Sequence, residues 1–202
     1  MAQNEVEVRY TLTFLSDWHA GSGLSIGAKA DASVIKDVNG LPFLPGKTIK
    51  GLLKDALIDI MEAQPTRVNC SDILELFGGV PGKDCLEAEA KAHSEETTNG
   101  RLFFSNANFE LDLSDSEHAP LKEYLYRTQA STAINERGTA IKGSLRVIET
   151  TIPLELYGFI SQREAFSEHT LNLLDMAMHW TRHIGQNRNR GLGRCRFERI
   201  KS

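Results

Sequence analysis

The sequence predicts an α+β sandwich with a mainly antiparallel sheet. Strand-like stretches stand at both ends of the chain, amphipathic helices separate the strands between them, and an Asn-Gly hairpin signal feeds straight into the first helix. With 202 residues, 41% of them hydrophobic, the chain fits a single compact domain with insertions and is long enough to bury a core.

Residues 6–17 place Val6, Val8, Tyr10, Leu12 and Phe14 at alternate positions, the period of a half-buried strand. Asp17-Trp18-His19 ends it. A Gly/Ser/Ala-rich loop follows, carrying one carboxylate, Asp31. Val34-Ile35 and Leu41-Pro42-Phe43-Leu44 flank Asp37-Val38-Asn39-Gly40. Both Asn39 and Gly40 accept positive φ cheaply, which predicts a tight hairpin, with Asp37 capping its turn. Pro45-Gly46 breaks the strand, and Gly46 or Thr48 starts a helix that buries Ile49, Leu52, Leu53, Ala56, Leu57 and Ile60. Ser71 is the expected cap of a short helix running to Leu76 and ended by Phe77-Gly78-Gly79.

Residues 82–99 are charged and lack a sustained apolar stripe, so a surface insertion is placed at about residues 80–99. Residues 100–109 return to strand and residues 118–126 form a short helix. Residues 127–146 are polar and rich in small side chains. Alternation around Ala133/Asn135 and Ala140/Lys142 marks an exposed β-hairpin arm there. Residues 145–161 are the most strand-like of all, a central strand bent near Pro153. Ser167 or Glu168 opens a helix whose apolar face is Leu171, Leu174, Ala177, Met178 and Ile184, and residues 195–200 form the last strand. A ferredoxin-like or RNA-recognition-motif-like core fits this count, although no run of exposed aromatics for stacking bases stands out.

Composition excludes several classes. No apolar run has membrane-spanning length and residues 1–10 lack the regions of a signal peptide, so a cytoplasmic protein is expected. Cys70, Cys85 and Cys195 form no Cys-x-x-Cys pair, which predicts reduced thiols rather than a zinc site or a disulfide frame. Gly46-Lys47-Thr48 echoes a phosphate-binding loop, but Leu41 stands where its first glycine belongs and Pro42 and Pro45 lack N–H groups. His179 and His183 have the spacing of a metal pair without a third ligand.

The net charge of −4 conceals a gradient. Acids gather in the middle, at Asp84, Glu87, Glu89, Glu95, Glu96, Glu110, Asp112, Asp115 and Glu117. The end holds Arg182, Arg188, Arg190, Arg194, Arg196, Arg199 and Lys201 against Glu198 alone. Such asymmetry predicts one anion-binding face on an otherwise acidic protein. Residues 185–194 interleave glycines, which let backbone approach a ligand, with arginines that fork onto phosphate. Lys47, Thr48, Lys50 and Lys54 lie in the opening turns of the first helix, where free N–H groups also favour phosphate. Arg127, Arg137 and Lys142 decorate the arm. His19, just before the glycine loop, is either a hydrogen-bonded structural residue or an auxiliary acid or base.

Together the glycine turn with His19, Val34-Ile35-Lys36-Asp37, Leu41-Pro42-Phe43-Leu44-Pro45-Gly46-Lys47-Thr48-Ile49-Lys50-Gly51, Phe77-Gly78-Gly79, Arg101-Leu102-Phe103-Phe104 and the arginine-glycine end resemble the RAMP (repeat-associated mysterious protein) superfamily of CRISPR antiviral systems. The ordered set covers nearly the whole chain. It is most similar to the repeated backbone subunit of type III effector ribonucleoproteins. That resemblance implies a modified ferredoxin-like palm with inserted loops, making residues 1–202 one RNA-binding domain. Copies would stack along a guide RNA beside other effector subunits. The β-hairpin at about 127–146 would be a thumb that reaches over a neighbour and interrupts the guide–target duplex. Phosphate contacts would come from Lys47, Thr48, Lys50, Lys54, Arg127, Arg137, Lys142, Arg188, Arg190 and Arg194.

The family's target-RNA endoribonuclease activity is attributed to a loop aspartate upstream of the "VI[KR]D…LPxxPG" phrase, and Asp31 holds that position. The resemblance implies that Asp31 is both catalytic residue and ligand of Mg²⁺ or another divalent cation. The ribose 2′-OH would attack the adjacent phosphate and leave a cyclic phosphate and a 5′-OH. Two departures stand out: Lys29-Ala30 where small or apolar residues are usual, and Lys47-Thr48 in place of a serine pair. Two alternatives stay open: an RNA-binding scaffold without activity, and a guide-RNA-processing endoribonuclease using His19.

Overall fold

The computed structural model describes residues 6–23, 31–79, 98–111 and 119–201. Strand β1 (Glu7–Phe14) organises the core, burying Val8, Tyr10, Leu12 and Phe14 on one face. After it come β2 (Phe43–Leu44), α1 (Gly46–Ala63), α2 (Cys70–Phe77), β3 (Gly78–Gly79), β4 (Thr98–Asn99), β5 (Phe103–Phe104) and β6 (Ala107–Asn108). The chain then forms β7 (Tyr126–Ser131), β8 (Arg146–Thr151), β9 (Glu155–Ser161), α3 (Glu168–Trp180) and β10 (Cys195–Arg199). The main sheet is antiparallel with the order β10-β1-β9-β6-β2, and β5 also pairs with β9. With β5 and β6 counted as one interrupted strand, the order of the four main strands is 4-1-3-2, the split βαβ arrangement of a ferredoxin-like palm. Helices α1 and α3 bring Ile49, Leu53, Leu57, Leu174, Ala177 and Met178 into the same core as Tyr10, Leu12, Leu156 and Phe197.

Several expectations are corrected. Residues 145–161 are two strands, because Pro153 interrupts the path. β9 enters the main sheet beside β1, while β8 pairs with β7 in a separate two-stranded sheet. Residues 100–109 break into β5 and β6, with Ser105 and Asn106 between them. In the hairpin, Gly40 alone takes positive φ; Asp37 Oδ1 accepts the N–H groups of Asn39 and Leu41, both at 2.8 Å. The cap of α2 is Asn69, in a capping box with Asp72, and Ser71 only donates to the Asn69 side chain. In α3, capped by Ser167 as expected, Leu173 rather than Leu171 is fully buried, and Ile184 lies beyond the helix end. The expected short helix is a 3₁₀ helix over Ala119–Leu125. Cys70 is disulfide-bonded, contrary to the expected reduced thiols. Cys195 is free, and burial pushes its thiol up to about 12, which keeps it unreactive. The insertion expected at about 80–99 lies outside the described residues except for β4.

Close packing of β9 on β1 fixes one glycine. Gly158 faces Tyr10 across the strands, and a Cβ there would overlap the buried phenol ring. Gly51, inside α1, has open space around its Cβ position. Opposite outcomes are therefore expected in chemical denaturation. Gly158→Val should lose about 1–3 kcal/mol by overpacking, whereas Gly51→Ala should gain about 0.5–1 kcal/mol of helix stability.

Candidate nucleic-acid interface

The end of β1 carries the joint on which the candidate site is assembled. Trp18 is fully buried and stacks on Phe14 with ring centroids 4.2 Å apart. Its backbone exchanges hydrogen bonds with Thr151 at the foot of β8, and its indole N–H donates to the Ile152 carbonyl at 3.1 Å. Asp17 accepts from Arg127 and Gln129 of β7. The β7–β8 hairpin is thereby held at its root by the core. Its far half, the expected thumb, is exposed on both faces: Ala130 to Gly143 has no buried or half-buried residue. Asn135 shapes the tip, where its Oδ1 accepts the N–H groups of Arg137 and Thr139 and Gly138 takes positive φ. Arg137 and Lys142 point into solvent. Arg127 is exposed but paired with Asp17 at 3.3 Å.

Asp31 lies against the other side of this root. Its N–H donates to the Val147 carbonyl, and its carboxylate Oδ2 accepts the Val147 N–H, both at 2.8 Å. Ala32 continues as a parallel bridge to Ile148. The result is an exposed carboxylate held in a fixed orientation by a strand of the hairpin. The other nearby acids have internal tasks, Asp17 holding β7 and Asp37 the hairpin turn. Among the described residues no three of His, Cys, Asp and Glu converge on a metal position. A lone exposed carboxylate fits a hard divalent ion such as Mg²⁺ only if phosphate oxygens and water complete the shell, which is a common arrangement for that ion.

His19 is fully buried, so its ring meets no solvent. Nδ1 must carry a proton, because its partner 2.6 Å away is the Glu149 carbonyl. Nε2 has no partner among the described residues. The His19 carbonyl accepts the Gln186 N–H, and Gly185 packs so closely on that carbonyl that a side chain would collide with it. His19 is thus a structural joint between the hairpin root and the C-terminal turn.

That turn carries the exposed cations. Positive φ at Gly185, Asn187, Gly191 and Gly193 folds residues 185–193 into a compact loop around a 3₁₀ turn at Arg188–Arg190. It lines an open cleft of about 720 Å³ with His183, Gln186, Asn187, Arg188, Asn189 and Arg190. Arg188, Arg190 and Arg194 are exposed and form no ion pair among the described residues. The start of α1 lies elsewhere. Gly46 packs on the carbonyl of Phe104 and donates to Asn106 Oδ1, and β5 pairs with the Ile160–Ser161 end of β9. The arginine turn adjoins the other end of the sheet, beyond Phe14. Lys47, Thr48 and Lys50 therefore form a second patch, separate from the arginines. Lys54 donates to the Gly78 carbonyl at 2.9 Å, a bond that closes the end of α2.

The outer sheet face holds residues that sequence pattern did not single out. Tyr157 and Phe159 project from central β9, in register with Thr11 and Arg9. The Tyr-Gly-Phe-Ile run there was a legible signal for a stacking strand. Glu7, Glu155 and Glu198 share the face, however. The hydroxyls of Thr13 and Tyr157 hold the Glu155 carboxyl below its usual range and keep it charged, while Arg9, paired with Glu7, and Arg196 offset the acids on this face.

The family model of the RAMP superfamily matches residues 11–196 of the chain. Its fold is similar to a chain in the cryo-EM structure of the type III-B Cmr-β complex bound to cognate target RNA, with a TM-score of 0.69 at 10% identity over 97% of this chain and 98% of that one. A chain of the apo complex gives 0.63 at 10% identity, with the same coverage. A comparison of the sequence with curated proteins finds no match.

Proposed function

The chain belongs to the RAMP superfamily, and from that premise we propose that it is an RNA-binding subunit of a type III CRISPR effector complex that cleaves target RNA at Asp31. The proposal includes a guide RNA and its complementary target as ligands, and further copies or related subunits as neighbours. The fold likeness to chains of a complex that holds target RNA supports these partners. The observation that carries the catalytic part is the pinned, exposed carboxylate of Asp31 at the root of the hairpin.

In this reading the arginine turn and the patch of Lys47, Thr48 and Lys50 hold RNA backbone, and the exposed hairpin with Arg137 and Lys142 inserts as a thumb. The chemistry needs little from the protein, because the nucleophile is the target's own 2′-oxygen. That oxygen forms a bond to the neighbouring phosphorus and loses its proton. The bond from phosphorus to the 5′-oxygen breaks, and that oxygen gains a proton. A divalent ion at Asp31, when bound, would supply charge neutralisation at the phosphate. Asp31 would anchor the ion, and the thumb would hold the splayed nucleotide in line.

One observation favours a second reading. Asp31 also ties the loop to β8, so its carboxylate could serve the fold alone, as in an RNA-binding scaffold. Comparing wild type with Asp31→Ala in the guide-loaded assembly, in Mg²⁺, separates the two. The expected result is a fall in cleavage by at least ~10²-fold with target binding retained; equal cutting by both proteins would assign the chemistry elsewhere. For the binding surface, Arg188→Gln with Arg190→Gln should weaken RNA binding whatever its sequence. It should also flatten the log–log salt dependence by roughly 1.4, two single-strand phosphate contacts at about 0.7 each. An unchanged slope would remove the turn from the interface.

A further inference from the structure

Strand β8 meets the Asp31 segment at more than the Val147 contact. Two residues further on, the Glu149 N–H donates to the Ala32 carbonyl at 3.0 Å. The Glu149 carboxylate then reaches along the same segment. Oε2 accepts the Val34 N–H at 3.1 Å, and Oε1 accepts from Lys36 Nζ at 2.8 Å. Glu149 is only 9% exposed. Lys36 is in turn held over the Tyr126 ring, 3.8 Å from its centroid, and the Tyr126 hydroxyl donates to the Gly40 carbonyl at 2.6 Å. Burial and the nearby Glu149 and Asp37 carboxylates raise the Tyr126 phenol, which therefore remains a donor at neutral pH.

A partly buried ion pair of this kind adds little net stability, since desolvation offsets the attraction; its best-attested use is to fix register. The backbone fastening of this segment along β8 is short. It consists of the Ala32–Ile148 parallel bridge with the Asp31-to-Val147 and Glu149-to-Ala32 hydrogen bonds, while the Gly21–Val34 bridge and the Ile35-to-Ala20 hydrogen bond hold its other side. A slip of one residue would turn every side chain to the opposite face, carrying Asp31 away from its present orientation. The carboxylate of Glu149 extends that fastening to Val34 and Lys36, and both of its bonds are made in this alignment.

We propose that Glu149, clamped by Lys36, is a positioning residue for Asp31: it sets the register of residues 31–36 along β8 and so aims the Asp31 carboxylate. The inference rests on Asp31 being the cleaving residue. Its effect passes through Asp31 and involves no contact between Glu149 and RNA.

The test uses the full chain in its guide-loaded assembly, with Glu149→Leu, Glu149→Gln, Lys36→Met and Asp31→Ala beside wild type. Single-turnover cleavage at saturating target, target affinity and amide hydrogen exchange are measured for each. Glu149→Leu is expected to slow cleavage by about 10–100-fold at unchanged target affinity. It should release the Val34 and Val147 amides to exchange while β1 and β9 stay protected. Glu149→Gln keeps one acceptor oxygen and turns its NH2 donor toward the other partner, so it should recover only part of the rate. If Glu149→Leu fails to assemble, Lys36→Met carries the same test. Wild-type cleavage by Glu149→Leu beside a silent Asp31→Ala overturns the positioning role and leaves Asp31 in place. A parallel loss of affinity and of protection throughout the sheet also overturns it, in favour of a purely structural role. If Asp31→Ala cuts normally, the nuclease reading fails first. Exchange then decides alone, and protected Val147 in Glu149→Leu overturns the register lock as well.

Discussion

Everything at the working end of the molecule hangs from the burial of Trp18. An exposed two-stranded hairpin is marginally stable at best in water, and the outer half of this one has no buried face to order it. Trp18 supplies the missing support from below. Its ring is sealed against Phe14, its backbone completes a bridge with Thr151, and its indole N–H is satisfied by Ile152. A buried indole without that acceptor would forfeit much of what its area contributes. The flanking residues extend the same fastening, with Asp17 to β7 and His19 to Glu149 and Gln186. Three consecutive residues thus tie the hairpin, the C-terminal turn and β1 into one unit.

The electrostatics follow from what that unit leaves uncovered. The protein is acidic overall, yet its arginine turn stands free of carboxylates among the described residues, while the outer sheet face keeps Glu7, Glu155 and Glu198. The turn is therefore the more positive of the two surfaces, since Arg9 and Arg196 only partly offset the acids of the sheet. The second basic patch, at the start of α1, lies toward the far end of the strands. Six residues of extended strand make that separation roughly 20 Å. A strand of RNA touching both patches would have to run along the domain rather than sit in one pocket, which suits a subunit laid along a nucleic acid better than an enzyme with a closed cleft.

Much of this was legible in the chain. Alternation in residues 6–14 gave the central strand, the amphipathic period gave α1, and the Asn135–Gly138 region announced its hairpin, because each of these signals is local. The misses that shape the site were long-range. Nothing near Pro153 says that β8 departs to another sheet, since the partner that claims Thr151 is Trp18, far away in sequence. Lys54 reads as a surface cation until α2 folds back and offers it the Gly78 carbonyl. Glu149 is one more acid in a strand-like run until Val34, Lys36 and His19 converge on it. Asp31 itself had no physical signal at all; only the family phrase downstream pointed to it, and its geometry emerged when β8 came alongside.

The same strand therefore has two roles that a less economical design would separate. β8 begins at the hairpin, where a target nucleotide would be splayed, and within six residues it has pinned Asp31 through Val147 and locked the neighbouring segment through Glu149. If the thumb displaces the nucleotide, the element that places the scissile phosphate and the element that places the carboxylate are one rigid backbone segment. Errors in their relative position then shrink to the flexibility of a few hydrogen-bonded residues. For a cleavage whose nucleophile is already part of the substrate, alignment is most of what remains for the protein to provide. A single carboxylate on an otherwise unremarkable loop is enough under that condition, provided the loop cannot slip.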